Sequence, residues 1–265
     1  MSERHVFFLD HNASKLKLEF WMGPDTDRDP WERHAGWWQD GFTDGADPEY
    51  EEQILPLATR HLGGAQRVLD VGAGEGQISR LAVRTGAHLA VGADPTWAQL
   101  ETARSRGGGP VYLRASAEAL PFRAGSFDTV VACLVFEHIS AYREAISEVA
   151  RVLEPGGRFL FFLNHPLLQT PGSGWIDDHI LEEQYWRVGP YLPEDTSMEE
   201  VAPGVRLPFV HRPLSHYVNT MADHGLLIER MEEPAPPPGF LERAAEYIEA
   251  ATIPRLMLLV SRRLA

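Results

Sequence analysis

The chain has 265 residues, 44% of them hydrophobic and 23% charged, which is typical of a globular protein long enough to bury a sizeable core. Its formal net charge of -14 at pH 7 would repel a phosphate backbone, and the most extended basic cluster is the pair Arg262 and Arg263, so we expect no nucleic-acid partner. No apolar run approaches the roughly 20 residues that cross a bilayer, and the N-terminus does not resemble a signal peptide, so we expect a cytoplasmic protein without membrane contact. The single cysteine, Cys133, lies in an apolar run, so we expect no disulfides.

The first 65 residues, which contain Trp21, Trp31, Trp37 and Trp38, are expected to form a helical cap. Beyond them, apolar β-branched segments alternate with amphipathic ones. The predicted strands are 66–71, 88–94, 111–115, 128–135 and 158–163, and the predicted helices are 76–85, 95–106 (opened by Pro95) and 141–153. This alternation predicts an α/β fold with a mostly parallel sheet, helices on both faces, and a ligand at the carboxyl ends of the strands.

From residue 164 to residue 212 the alternation stops, and the segment is rich in proline, glycine and aromatic residues. A connection of this length in a compact domain is usually a lid or a binding insertion. A helix at 213–224 and strands at 226–232 and 255–261 follow. The predicted organisation is therefore a cap (1–65), a ligand-binding core (66–163), an insertion (164–212) and a completion of the core sheet (213–265).

The stretch VLDVGAGEG at 68–76 carries three glycines directly after a predicted strand. A dinucleotide, a phosphate group and a cationic sulfonium are the alternatives for the ligand of such a loop. A dinucleotide site needs a third glycine at the position that Gln77 occupies. The carboxylates of Asp70 and Glu75 disfavour a phosphate at the helix N-terminus and are compatible with a cation.

Asp94 ends the second predicted strand, 18 residues beyond Gly76. A carboxylate at this position can accept hydrogen bonds from both hydroxyls of a ribose. The loop therefore favours a nucleoside joined to a positive group, and S-adenosylmethionine is such a molecule.

Four motifs in chain order resemble those of the class I S-adenosylmethionine-dependent methyltransferases, in particular the small-molecule group with a ubiquinone/menaquinone-methyltransferase-like core. They are VLDVGAGEG, VGADPT, SAEALPF followed by SFDTVVACLVFEHI, and EVARVLEPGGRF, and together they cover residues 66–163. The resemblance implies a Rossmann-like sheet of seven strands, six of them parallel and the last antiparallel.

The resemblance also implies a set of residues for the cofactor. The glycines would admit its methionyl and ribose parts, Asp70 would lie near its amino group, and Asp94 would hold the ribose. The family more often has aspartate at the position of Ser116, so the adenine contact is expected from Ser116 or from the backbone of Ala117 and Glu118. The complete expected set is Asp70, Gly72, Gly74, Gly76, Asp94, Pro95, Ser116, Ala117, Glu118 and Leu134.

The methyl acceptor is expected to be a small molecule methylated at O, N or C, and a hydroxyl acceptor needs a base. Histidine suits this task because its pKa lies near working pH. His165 is the first candidate, with His138 and His211 after it and with Glu137 and Tyr217 as further possibilities.

Aromatic residues of the insertion and the cap would form a water-excluding chamber if they converge over the cofactor. They are Trp175, Tyr185, Trp186 and Tyr191 in the insertion, and Trp37, Trp38 and Tyr50 in the cap. No metal site is expected, because the run Asp177 to His179 has no second ligand cluster. The alternatives are methylation of tRNA or protein, and a non-catalytic regulatory protein that binds S-adenosylmethionine; the oligomeric state is left open.

Overall fold

The computed structural model describes residues 30–247 and 249–265, which form an α/β fold. Its strands are β1 (Arg67–Val71), β2 (Leu89–Asp94), β3 (Val111–Arg114), β4 (Phe127–Cys133), β5 (Leu153–Asn164), β6 (Gly174–Asp178), β7 (Glu183–Arg187), β8 (Asp195–Ala202), β9 (Val205–His211), β10 (Leu226–Glu232) and β11 (Leu256–Arg263). Its α-helices are α1 (Pro30–Phe42), α2 (Leu55–Leu62), α3 (Gln77–Arg84), α4 (Trp97–Arg106), α5 (Tyr142–Val152), α6 (Pro166–Gln169), α7 (Leu214–Asp223) and α8 (Pro238–Arg243).

The central sheet has seven strands in the order β10-β11-β5-β4-β1-β2-β3. All neighbouring pairs are parallel except those of β11, which runs antiparallel to both β5 and β10. This confirms the expected Rossmann-like methyltransferase topology. The chain reverses its strand order at β1 and β4, so the carboxyl ends of β1, β2 and β4 meet around one crevice, where open α/β sheets bind ligands.

Continuous apolar runs explain the central strands. Val68, Leu69 and Val71 of β1 are at most 1% exposed, and β4 and β5 are buried in the same way on both faces. Two apolar clusters lie one on each side of the sheet, as a parallel sheet covered by helices requires. The rigid sheet therefore fixes the positions of the residues that follow each strand.

The insertion at 164–212 contains regular structure that the sequence pattern did not predict. After the short helix α6, it forms two antiparallel hairpins, β6 with β7 and β8 with β9. Trp175 and Trp186 form a cross-strand pair, and Trp175 also stacks on Tyr247 at a ring-centroid distance of 5.2 Å. These contacts hold the first hairpin against the C-terminal segment.

Several predicted boundaries were wrong. Pro95 does not open α4, because Thr96 is the residue before its first helical position. Strand β5 begins at Leu153 and not at the predicted residue 158, so the gap expected at 154–157 between helix and strand belongs to the strand. Trp21 of the predicted cap lies outside the described residues, and Trp31, Trp37 and Trp38 belong to α1. Within the described residues, no helix is long and apolar enough to cross a membrane.

Candidate functional site

A cavity of about 410 Å³ opens at the carboxyl ends of β1, β2 and β4. All of the residues expected to bind a cofactor line it except Gly76. Of the candidate bases, His138 lines it. The sheet topology thus brings three of the four sequence motifs to one place, and the fourth, EVARVLEPGGRF, lies outside the cavity lining.

The glycine loop forms one wall of the cavity because its backbone takes conformations that other residues resist. Gly72, Gly74 and Gly76 have φ values of +71°, +53° and +91°. A Cβ at Gly74 would have only the Trp38 Nε1 atom near it, at 3.9 Å, so this glycine faces open space. Gly76 instead lies behind the loop, where it precedes α3 and where a Cβ would collide with the Tyr112 hydroxyl.

The Asp70 side chain forms part of the cavity floor and is 2% exposed. Its Oδ2 accepts a hydrogen bond of 2.7 Å from the Ser79 hydroxyl. Burial raises the pKa of this carboxyl to about 7, and the negative charges of Asp94 and Glu75 act in the same direction, while the hydrogen bonds from Ser79 oppose them. A bound cationic group would therefore stabilise the ionised form of Asp70.

Asp94 presents its carboxylate at the carboxyl end of β2, opposite the glycine loop. The Gly74 amide donates to Oδ2 at 2.8 Å and the Thr96 amide donates to Oδ1 at 2.7 Å. Asp94 thus orders the glycine loop and places carboxylate oxygens, which accept hydrogen bonds, in the cavity wall.

Two further segments complete the walls. Ser116, Ala117 and Glu118 follow β3 and line the cavity. Leu134 follows β4 with a φ of +55°, a strained conformation for a large side chain, and its amide donates to the Phe162 carbonyl at 3.1 Å. Backbone strain of this kind persists only where the surrounding structure imposes it, as it often does at ligand sites.

Helix α1 supplies the aromatic roof of the cavity. Trp31 and Trp38 lie on either side of His34, whose non-helical backbone kinks α1, and both line the cavity. Their ring centroids are 5.8 Å apart in an edge-to-face arrangement. Tyr50 adds a third aromatic wall. Trp31 was not expected in the site, although it is one of the tryptophans of the predicted cap.

Polar ties fix this roof to the core. The Glu32 carboxylate accepts hydrogen bonds from the Trp97 and Ala98 amides, at 2.7 and 2.8 Å, so it caps the N-terminus of α4 from a distant part of the chain. Gln39 donates to the Gln99 side chain at 3.0 Å. A carboxylate at a helix N-terminus is also favoured by the helix dipole. The position of α1 is therefore set by the same helix that begins beside Asp94.

His138 is half-buried at the side of the cavity, in the turn that follows β4. Its Nδ1 donates to the Pro208 carbonyl at 2.8 Å, so Nδ1 carries the proton. The ring packs edge-to-face against Trp31 and Phe209 at 4.7 and 4.6 Å. Burial lowers the pKa of His138 to about 4, against the opposing effect of the Pro208 hydrogen bond, so the ring is neutral at pH 7.

His165, the first candidate base, does not line the cavity. It is 5% exposed and precedes α6, where its Nδ1 accepts a hydrogen bond from the Leu167 amide and its Nε2 contacts Glu233 at 2.7 Å. Both ring nitrogens are engaged, so the expected catalytic role has no support from its position. His211 is also outside the cavity, since its Nε2 donates to the Tyr191 carbonyl at 2.7 Å in the hinge of the insertion.

Glu137 and Tyr217, the two further candidates, are internal structural groups. Glu137 is 4% exposed, and its Oε1 accepts hydrogen bonds from the Asn164 amide and side chain. Burial raises the pKa of Glu137 to about 7. Tyr217 is 3% exposed, and its hydroxyl receives a hydrogen bond of 3.2 Å from Arg212. Neither side chain lines the cavity.

Arg212 was missed by the sequence analysis, although it organises the turn that carries His138. This guanidinium is 2% exposed and donates to the carbonyls of Phe136, Ile139 and Ser140 at 3.1, 2.6 and 3.0 Å. Arg212 directly follows β9, and Pro208, the partner of His138, belongs to the same strand. The insertion therefore holds this turn in place rather than covering the cavity.

The expected aromatic chamber is therefore only partly right. Trp38 and Tyr50 line the cavity, but Trp37 does not. Trp175 and Trp186 line a separate, smaller pocket against the C-terminal segment, and neither they nor Tyr185 and Tyr191 reach the main cavity. The hairpin register pairs the two tryptophans with each other, and both line the smaller pocket with Leu168 of α6.

Asp177 and Asp178 end β6, and His179 begins the turn that follows. Asp178 Oδ1 accepts hydrogen bonds from the Ile180 and Leu181 amides, as aspartate does in surface turns. Across residues 30–247 and 249–265, no group of three or more His, Cys, Asp or Glu side chains is arranged to hold a metal ion.

The cavity fits S-adenosylmethionine by the chemistry of its walls. Asp70 and Asp94 supply acceptors for an ammonium group and a ribose, Gly74 leaves open space where a side chain would stand, and Leu134 and Ile78 are apolar surfaces for the remainder. Gly72 allows a close approach of the loop to β4, because a Cβ there would overlap the methyl groups of Val135.

Comparison with known proteins agrees with this chemistry. Residues 69–161 match the family model described as a methyltransferase domain. The chain is 34% identical over 162 residues to an uncharacterized methyltransferase of Bacillus subtilis, a match that covers 58% of this chain and 61% of that protein. It is 36% identical over 121 residues to a demethylmenaquinone methyltransferase of Thermus thermophilus, covering 44% of this chain and 54% of the other.

Among solved structures, an S-adenosylmethionine-dependent methyltransferase from Mesorhizobium loti is similar over most of the fold. The TM-score is 0.70 at 28% sequence identity, and the match covers 83% of this chain and 99% of that one. The chain spans less than two thirds of the length of the two curated relatives.

Proposed function

We propose that the chain is a class I S-adenosylmethionine-dependent methyltransferase and that it transfers the methyl group to a small molecule bound beside His138. The observation that carries this proposal is the single cavity that runs from the glycine loop to His138 beneath Trp31. One end of the cavity has the acceptors that the cofactor needs, and the other end has aromatic walls and one histidine.

The cofactor, when bound, supplies a methyl carbon activated by its bond to a cationic sulfur. The chain's own residues bind, orient and exclude water. Asp94 and the ordered glycine loop would hold the ribose, and Asp70 would face the ammonium group. Alignment of the two reactants accounts for most of the acceleration in such a displacement.

The roof formed by Trp31 and Trp38 would exclude water from the acceptor end. Tight closure of this kind strengthens the electrostatic interactions inside a site. Glu32 and Gln39 hold the roof by bonds to α4, so the aromatic walls are in place before an acceptor arrives.

A small-molecule acceptor is supported by three features. The net charge of -14 opposes an approach to nucleic acid. The acceptor end is a concave pocket with aromatic walls, as in small-molecule sites. The relative from Thermus thermophilus is named a demethylmenaquinone methyltransferase.

Methyl transfer can be tested with S-adenosylmethionine that carries a labelled methyl group. The purified protein is incubated with this cofactor and, separately, with small-molecule extracts, bulk tRNA and a protein lysate. Label in a low-molecular-mass product is the expected result, and Asp94→Ala should lose it. Label only in tRNA or protein would contradict the proposed acceptor class.

A further inference from the structure

The position of His138 limits what the acceptor can be. Its Nδ1 is bound as a donor to the Pro208 carbonyl, and its ring is held between Trp31 and Phe209. The imidazole therefore stays in one tautomer, whose other nitrogen, Nε2, has a lone pair and no proton. A ligand that meets Nε2 must donate a hydrogen bond to it.

The charges around the cavity act in the same direction. Asp70, Asp94 and Glu118 place carboxylates in its walls. Glu75 also lines it, but its charge is matched by Arg80 at 2.6 Å and by Arg106 at 2.5 Å. Among the lining residues of the described chain there is no lysine or arginine. The described lining residues therefore offer a carboxylate acceptor no cationic side chain as a partner.

The arginine that holds the turn of His138 does not change this balance. Arg212 is 2% exposed, and its Nη1 and Nη2 groups donate to the backbone carbonyls of the turn and to the Tyr217 hydroxyl. These donors are used inside the protein and do not point into the cavity wall. A carboxylate acceptor would therefore meet the sulfonium with one oxygen and the His138 lone pair with the other.

We infer that the acceptor is an uncharged molecule with a hydroxyl or N–H group, which it donates to His138 Nε2, and that carboxylate acceptors are rejected. This inference rests on the proposed function. In the transfer, an oxygen or nitrogen lone pair of the acceptor forms the bond to the methyl carbon, the electron pair of the broken C–S bond remains on sulfur, and the acceptor proton passes to Nε2 and then to solvent.

The test compares matched pairs of probes on protein saturated with S-adenosylhomocysteine. Phenol is paired with benzoate and naphthol with naphthoate, so that shape is nearly constant and charge differs. Binding is measured by calorimetry, and the imidazole nitrogen signals of labelled histidine are followed by NMR. We expect the hydroxyl member of at least one pair to bind more than tenfold more tightly than its carboxylate and to shift the Nε2 signal of His138.

Variants at His138 supply the reciprocal test. His138→Lys places a positive charge at the same point and should reverse the preference toward the carboxylate probes. His138→Gln, which preserves neutrality, should weaken the preference without reversing it if the lysine variant fails to fold. His179→Lys is the matched control, because it adds the same charge at an exposed turn outside the cavity and should leave the preference unchanged.

Three results would overturn the inference: equal or tighter binding of the carboxylates, no binding by any hydroxyl probe, or binding that leaves the His138 signal unmoved. Failure of the proposed function is distinct, because S-adenosylhomocysteine itself would then not bind in the first titration.

Discussion

Replacement of Asp94 by alanine is the most informative perturbation of the cofactor end. Its carboxylate accepts amide hydrogen bonds from Gly74 and Thr96 at 2.8 and 2.7 Å, and it would accept the ribose hydroxyls as well. A hydrogen bond to a charged group contributes about 1.5–3 kcal/mol. Since about 1.4 kcal/mol corresponds to a tenfold change in affinity, the loss should weaken binding of S-adenosylhomocysteine by roughly 10- to 150-fold.

The same substitution leaves two amides without their acceptor, so it also perturbs the loop. Asp128→Ala is the matched control, because that carboxylate accepts amide hydrogen bonds from Gln66 and Arg67 away from the cavity. Both variants should lower the melting temperature, but only Asp94→Ala should weaken binding in calorimetry. An affinity of folded Asp94→Ala within twofold of the unchanged protein would refute the ribose assignment, and equal losses in both variants would attribute the effect to general destabilisation.

Three further predictions concern the loop, the floor and the turn of the cavity. Gly72→Ala should destabilise the fold by about 2–5 kcal/mol, the sum of about 1–2 for a positive φ and about 1–3 for overlap with Val135. Denaturant unfolding should show that adding Val135→Ala restores the stability lost to the overlap, and additive losses from the two substitutions would contradict this. The pKa of Asp70 is raised to about 7 in the fold, so this carboxyl group contributes stability that is fully present below its unfolded pKa and is lost as the pH rises through about 7. Thermal unfolding between pH 5 and 8 should therefore show a weaker pH dependence for Asp70→Asn, and an unchanged slope would exclude the effect. Arg212→Met should lower methyl transfer at least tenfold through misplacement of His138 while calorimetry shows S-adenosylhomocysteine binding retained, and full activity in the folded variant would remove Arg212 as a positioning residue.

The core of the fold followed from local sequence rules. Apolar runs such as 67–71 can only be buried strands, and the glycines after them permit a turn that other residues resist. The position of Asp94 at the end of a strand is likewise a local property of the sequence. Asp94 becomes part of a site because parallel strands end at the same edge of the sheet. These features place the cofactor end of the cavity without knowledge of distant contacts.

The acceptor end was not predictable in the same way, because distant segments build it. His165 and His138 both follow strands, but one precedes α6 with both ring nitrogens engaged and the other faces the cavity. Only the tertiary structure distinguishes them. The insertion shows the same limit, since its hairpin register turns Trp175 toward Tyr247 and away from the cavity.

Helix α1 adds a further example. Trp31 and Trp38 flank a kink at His34 that the helical period does not predict, and the hydrogen bonds of Glu32 to the first amides of α4 set the position of their helix. Thr96 makes no side-chain hydrogen bond that caps α4, so the sequence around α4 gives it only a weak cap. That Glu32 of α1 supplies the missing cap is evident only in the tertiary structure.

The measurement that tests the central claim most directly is a parallel calorimetric titration of the purified protein with S-adenosylmethionine, S-adenosylhomocysteine and NAD. The account predicts micromolar binding of the first two and none of NAD, because the acidic glycine loop suits a sulfonium nucleoside and not a diphosphate. Binding of NAD alone, or of none of the three, would contradict the account.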